Sequence, residues 1–161
     1  MFRKMRRKKQ ELTEKQCLDI LRRAKTATLA LSGDDGYPYS VPMNFVYEDG
    51  KIYFHGAKEG HKIDAIKNNP KVSMSIIDQE DVIEEELTTY FRSVILFGKA
   101  RILQEDDEIY HAIETLGLKY NEDEVTVEKE IRKEWKILCC VEITIEHISG
   151  KQAIELVNKN Y

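Results

Sequence analysis

The sequence predicts a mainly β fold: an antiparallel β-barrel of about six strands, with helices at its periphery. Three observations point to it. Six runs of bulky and β-branched residues have strand character. Compact turn signals, Asp34-Asp35-Gly36 and Glu48-Asp49-Gly50, join the first three of them. The strict strand–helix–strand alternation of a doubly wound parallel sheet is missing.

The elements follow in order. Thr13 with Gln16 forms a capping box, and Cys17, Leu18, Ile20, Leu21 and Ala24 recur at helical spacing, which predicts a helix over 14–25. "TATLALSG" (26–33) alternates small or hydroxylated residues with larger ones and ends at glycine, a strand. "YPYSVPMNFVYEDG" (37–50) is the second strand; Pro38 and Pro42 place it at an edge or a bulge, or leave backbone free for another purpose. "KIYFHG" (51–56) is the third. "HKIDAIKNNP" (61–70) is a short helix stopped by Asn-Asn-Pro, and "KVSMSIID" (71–78) the fourth strand. The acidic stretch 79–89 reads as a mobile loop. "YFRSVILFGKARIL" (90–103) is the fifth strand, with Gly98 marking a bulge or a close backbone approach. Residues 106–120 and 121–135 read as two helices, "KILCCVEITIEHISGK" (136–151) as the sixth strand, and "QAIELVNK" (152–159) as a terminal helix. The helices are expected to cover the barrel's open ends. The chain is read as one domain, 1–161, with a basic arm at 1–10 and a helical insertion at 105–135.

Composition narrows the function classes. With 42% hydrophobic and 34% charged residues, the 161-residue chain can build a core and dissolve. No apolar run approaches the roughly 20 residues of a membrane span, and the basic start is not followed by the apolar segment of a signal peptide. The formal net charge is −4, unevenly spread: "MFRKMRRKKQ" carries six basic residues and no acid. An acidic body repels phosphate backbones, so the arm is expected to lie on its own chain or on a partner subunit rather than on nucleic acid or a membrane. Three cysteines, Cys17, Cys139 and Cys140, form no disulfide framework or zinc pattern; the last two are strand neighbours facing opposite ways. A reducing, cytoplasmic setting is expected. The histidines show no metal-ligand spacing, and no metal site is assigned.

The chemistry concentrates in "YFHGAKEGHK" (53–62). A strand end, two glycines, a cationic group and a helix start fall within this stretch. Glycine lets the backbone approach a ligand, the helix N-terminus offers unpaired N–H groups, and Lys58, His61 and Lys62 add charge. Such a turn can hold a terminal phosphate. "VPMNF" before it, and Arg92-Ser93 within an apolar strand after it, place polar atoms where they could meet the edge of a flat heterocycle.

These segments carry a resemblance. "YPYSVPMNFVYEDGKIYFHGAKEGHKIDAIKNNPKV", with "TTYFRSVILFGKARIL" in the same order, is similar to the pyridoxamine 5′-phosphate oxidase-like superfamily, and most similar to its nitroimidazole-resistance (Nim) branch. The resemblance covers residues 3–104 and, more loosely, "VEITIEHISGK". It implies a split β-barrel binding FMN at a homodimer interface. By position it implies phosphate contacts from Lys58, His61 and Lys62. Met43 and Asn44 would lie along the isoalloxazine ring, His55 and Gly56 beside ribityl or ring atoms, and Ser93 and Val94 at the flavin edge. His55 is the candidate catalytic residue. Gly60 and His61 stand where the superfamily has serine or arginine. The arginine-rich C-terminal segment of true pyridoxamine phosphate oxidases is missing, since no arginine follows Arg132. The resemblance therefore implies an FMN-dependent reductase of a small organic acceptor, such as a nitroaromatic, and not vitamin B6 phosphate oxidation. The alternatives are a non-catalytic flavin- or haem-binding protein of stress response or storage, and an oligomeric scaffold. His111 reads as a surface or interface residue, His147 as structural, and Trp135 as an anchor onto the barrel or a second subunit.

Overall fold

The computed structural model describes residues 1–157. Among these residues there are four α-helices: α1 (Glu14–Arg23), α2 (His61–Asn68), α3 (Asp106–Tyr120) and α4 (Glu124–Glu134). The strands are β1 (Thr26–Ser32), β2 (Pro38–Asn44), β3 (Val46–Glu48), β4 (Lys51–Ala57), β5 (Lys71–Ile83), β6 (Thr88–Ile102) and β7 (Leu138–Gln152). All seven belong to one sheet, in the order β2-β1-β5-β6-β7-β4-β3, and every pairing is antiparallel.

The count is seven rather than six because the second predicted strand is cut at Phe45. β2 and β3 flank that single residue yet occupy opposite edges of the sheet. Two Cα atoms separated by one residue lie at most about 7 Å apart. The sheet must therefore curl until its edges approach each other, and a barrel forms with a seam at Phe45. Pro38 and Pro42 sit on β2, an edge strand with a neighbour only on its β1 side, where proline's missing donor is tolerated.

Alternation sorts the side chains. Leu29, Phe54, Met74, Ile76, Leu96, Val141 and Ile143 point into the barrel, where each is at most 1% exposed. Burying each such side chain is worth roughly 1.5–3 kcal/mol relative to exposure. α1, started by the reciprocal Thr13–Gln16 capping box, adds Cys17, Ile20 and Leu21 to this core; α2 adds Ile63, Ala65 and Ile66. The helical region from 106 to 134 lies elsewhere. Its α3 packs on the outer surface of β3, β4 and β7, where Val46, Tyr53, Leu103, Ala112, Leu116, Leu138 and Cys140 make a second cluster. Cys139 faces the inner core and Cys140 the outer cluster, and all three thiols are free and buried.

Residues 79–89 are not a loop. They complete a hairpin in which Asp81 pairs with Tyr90 and Ile83 with Thr88, closed by a short 3-10 turn and by Leu87 in the left-handed region (φ 49°). A register shift between Ile77 and Gln79 re-aims the strand at Asp78, whose carboxylate accepts from Arg23 Nε and Nη2 at 2.7 and 2.6 Å. The acidic composition concealed it: this ribbon stands out from the barrel, so its strands lack an apolar face. Gly98 combines both expected roles. A register shift lies between it and Phe97, and a Cβ at this position would come within 2.4 Å of the Thr144 carbonyl oxygen. The predicted terminal helix begins as a 3-10 turn at Ile154–Leu156, and its last residues lie outside the described ones.

The basic arm lies along β7 of its own barrel. Glu11 bridges Lys151, Leu12 N–H donates to the Gly150 carbonyl (2.9 Å), the buried Gln10 amide donates to the Gln152 carbonyl (3.0 Å), and Phe2 stacks on His147 with centroids 4.8 Å apart. Among the described residues no helix is long and apolar enough to cross a membrane.

The end of α3 locks the seam. The Tyr120 hydroxyl accepts from Phe45 N–H (3.1 Å) and donates to the Lys25 carbonyl (2.5 Å). Lys119 donates to the carbonyls of Ala24 (2.5 Å) and Phe45 (2.8 Å) with its ammonium 4.0 Å from the centre of the Phe45 ring. Burial pushes the Lys119 pKa down to about 8, which leaves it charged at neutral pH. Tyr120→Phe strands the Phe45 N–H beside a buried ring; chemical denaturation should show a loss of about 1–3 kcal/mol.

Candidate functional site

β3 pairs with β4 only at Lys51, Ile52 and Tyr53. Beyond them, Phe54–Ala57 keep β7 on one side and have no strand partner on the other. The seam therefore opens into a notch between the end of β2 and the end of β4. Asn44 and His55 reach it from opposite edges of the sheet. His55 follows the inward-facing Phe54 and so shares the outer face with Tyr53, beneath α3 and α4.

Above this face lies a cleft of about 890 Å³. Its floor is Asn44, His55, Gly56 and Ala57, and its wall is mostly apolar: Ile113 and Leu116 of α3, Val127 and Ile131 of α4, and Ile137 and Leu138 beyond. Size and lining suit a planar organic ring system with polar contacts at one side. Gly117 lets the two helices close up, since a Cβ there would come within 2.7 Å of a Val127 methyl.

The other side of β4 is cationic. Lys62, in the first turn of α2, folds back over the strand. Its ammonium lies 5.4 Å from the centre of the Phe54 ring and 3.2 Å from where a Gly56 side chain would begin. It is half-buried, and burial lowers its pKa. Among the described residues no carboxylate lies within ion-pair distance of it. A half-buried ammonium without a counter-charge is unfavourable alone and ready for an anion. Lys58 is exposed in the preceding turn, and Gly60, at φ 127°, gives α2 an N-cap without a side chain. A phosphate carried by a flat ring fits this donor set: ammonium groups and free helix N–H groups beside the notch, with the apolar cleft adjoining.

Of the predicted residues, Asn44, His55 and Gly56 come together in the cleft, and Lys58 and Lys62 flank the same strand end. His61 turns the other way. It stacks on Tyr39 with centroids 4.0 Å apart, 3.7 Å from the Asp34 carboxylate. The half-buried Met43 side chain packs on the barrel core, and Val94 is completely buried in it, so Val94 can meet a ligand only through its backbone. Ser93 lies on β6, opposite Ile77 and Lys151, outside the cleft. Sequence reasoning missed the wall. The signal was present in Ile109, Ala112, Ile113, Leu116 and Tyr120, whose spacing marks an apolar helix face, but nothing local says what that face covers.

His55 is exposed and opens into the cleft. Desolvation lowers its pKa below the usual 6.5, nearby Lys62 lowers it further, and Glu134 opposes both. It is therefore neutral at neutral pH. The unfolded chain takes up this proton below about 6.5 while the folded one resists. The corresponding stability is present above that value and is lost as the pH falls through the depressed folded pKa. Denaturation midpoints between pH 7.5 and 5 should fall less steeply in His55→Gln than in the parent chain.

Comparison with known proteins agrees with this architecture. The chain is 27% identical over 100 residues to an uncharacterised protein, RA0666, of Rhizobium meliloti (strain 1021); the match spans 62% of this chain and 61% of that one. Among solved structures, the fold is similar to a protein of Bacteroides thetaiotaomicron described as a 5-nitroimidazole antibiotic resistance protein (TM-score 0.72, 21% identity, 88% of this chain and 85% of that chain). It is also similar to an FAD- and haem-binding protein of Mycobacterium smegmatis (TM-score 0.74, 21% identity, 90% and 73%). At those identities the likeness establishes the split-barrel fold. The family model for pyridoxamine 5′-phosphate oxidase matches residues 13–152, and the chain belongs to that family.

Proposed function

We propose that the chain binds FMN in the notch between β2 and β4, as a homodimer, and serves as a reductase of small organic acceptors of the nitroaromatic kind. One observation carries the reading: the half-buried, unpaired Lys62 ammonium stands beside an apolar cleft of ring-accommodating size. A terminal phosphate would supply the missing counter-charge, and its ring would enter the cleft. One compact cationic turn suits FMN, with its single phosphate, better than FAD.

A bound flavin supplies the hydride and single-electron chemistry. The chain supplies the rest. Lys62 and Lys58 hold the phosphate, Asn44 offers an amide to the polar ring edge, and the α3–α4 wall keeps water from the reacting face. Neutral His55 has a ring nitrogen able to accept a proton and another able to donate one, which suits proton delivery to a reduced acceptor. The resemblance of "YPYSVPMNFVYEDGKIYFHGAKEGHKIDAIKNNPKV" to the Nim branch supports this over vitamin B6 phosphate oxidation. Ile77 (58% exposed), Ile95 (44%) and Phe97 (39%) surround Ser93 on the outer face of β5 and β6, a surface that a second copy would cover.

The purified protein should show flavin absorption after FMN addition, and that absorption should bleach with NADH or NADPH. Flavin that neither nucleotide reduces would leave a binding protein, and a Soret band would indicate haem instead. Fluorescence titration of Lys62→Ala should give an FMN affinity lower by at least about tenfold, the loss of one charge-assisted contact. Unchanged affinity would remove the anchor.

A further inference from the structure

We infer that the cleft selects its organic ligand by charge, accepting flat apolar molecules that are neutral or cationic and rejecting anionic ones of the same shape. The inference rests on the flavin reading for the identity of the site and concerns the molecule sharing the cleft with the cofactor.

The charges facing the cleft are one-sided. Glu130 and Glu134 stand one turn apart on α4 and both line it, whereas among the described residues no lysine or arginine does. At His55 the floor feels Lys62 and, more weakly and in the opposite sense, Glu134; under the flavin reading the cofactor phosphate takes up the Lys62 charge, which leaves the field of Glu134. The last turn of α3, from Gly117 to Asn121, also lines the cleft and presents the negative end of the helix dipole. Among the described residues, the nearby cations are engaged elsewhere or stand outside the lining. Lys119 is held by two carbonyls and the Phe45 ring. Lys62 lies over Phe54, on the core side of β4, and Lys58 is exposed in the turn. Lys133 approaches Glu130 (2.9 Å) and Glu134 (3.6 Å) but is 66% exposed and outside the lining, so it dilutes the acidic field without cancelling it.

An anionic ligand would thus lose hydration against the apolar wall and meet two carboxylates with no cation in the lining to compensate. A cation of equal size would lose hydration too but gain a counter-charge. At the effective dielectric of a half-open site, a carboxylate a few ångströms away is worth a kilocalorie or more, about tenfold in affinity.

The test uses three matched probes: 4-nitrobenzyl alcohol, 4-nitrobenzylamine as its ammonium, and 4-nitrobenzoate. Each is titrated into FMN-loaded protein at pH 7 and low salt, with quenching of Trp135, the only tryptophan, as the readout. The amine and the alcohol should bind at least about tenfold more tightly than the benzoate, and the gap should narrow as salt is raised. Glu130→Gln/Glu134→Gln should weaken the amine and strengthen the benzoate while leaving the alcohol unchanged, which also shows that the cleft is intact. Glu130→Lys should move the order further toward the benzoate. Equal binding of alcohol and benzoate by the parent chain, or an order insensitive to both variants, would overturn the inference. FMN titration is read separately: FMN bound without a charge order refutes only the selectivity. Absent FMN binding with the charge order preserved in the unloaded protein refutes only the flavin reading.

Discussion

Phe45 is the single residue between two strands that belong to opposite edges of one sheet, and the molecule is organised around satisfying that constraint. The chain cannot cross a flat sheet in one step, so the sheet closes. The closure is incomplete, because β3 is only three residues long and leaves the end of β4 without a strand on one side. Phe45 itself is wholly buried, and its backbone groups are met by Tyr120 and Lys119 from the far end of α3. The lock at the seam and the wall of the cleft are therefore parts of the same helix. A change that loosens one moves the other, which ties the barrel's stability to the shape of its cavity.

β4 divides the candidate site electrostatically. Among the described residues, its core side holds a cation without an ion-pair partner, and its outer side a cleft whose formal charges are negative. Strand alternation produces this arrangement directly, since Gly56 and His55 are consecutive and face opposite ways. Glycine at 56 leaves room on the first face, because a Cβ there would press on the Lys62 ammonium at 3.2 Å. Placing His55 one residue earlier turns its imidazole toward the second. A molecule with an anionic tail and an uncharged planar head is matched by straddling the strand end, with its tail on one side and its head on the other.

Much of this was legible in the sequence. The Thr13–Gln16 box, the turn at Asp34–Gly36, the edge prolines and the bulge at Gly98 are local devices whose physics depends on few neighbours. Barrel class followed from them. The cationic turn was legible for the same reason, and Asn44, His55, Gly56 and Lys62 do gather at one strand end. The misreadings were non-local. Nothing near Phe45 announces that its flanking strands part to opposite edges, and polarity hid the ribbon at 79–89, where pairing needs no buried face. His61 illustrates the limit of motif position. Its neighbour Lys62 turns toward the notch, whereas Tyr39 and Asp34, distant in sequence, draw the imidazole away. The cleft wall needed tertiary knowledge altogether, because an apolar helix face declares that it is covered but not by what.

The ribbon formed by the outer parts of β5 and β6 has one more implication. From Gln79 to Thr89, among the described residues, neither strand pairs with a further strand on its other side, so part of each backbone edge is available for pairing with another chain. Val82 and Leu87, 70% and 95% exposed, would favour such recruitment. Glu80, Asp81 and the Glu84–Glu86 turn oppose it, because two ribbons aligned edge to edge would bring like charges into register. The acidity that disguised this segment thus acts as a guard against fibril-like stacking, and neutralising it would threaten the solution behaviour of the protein before its fold.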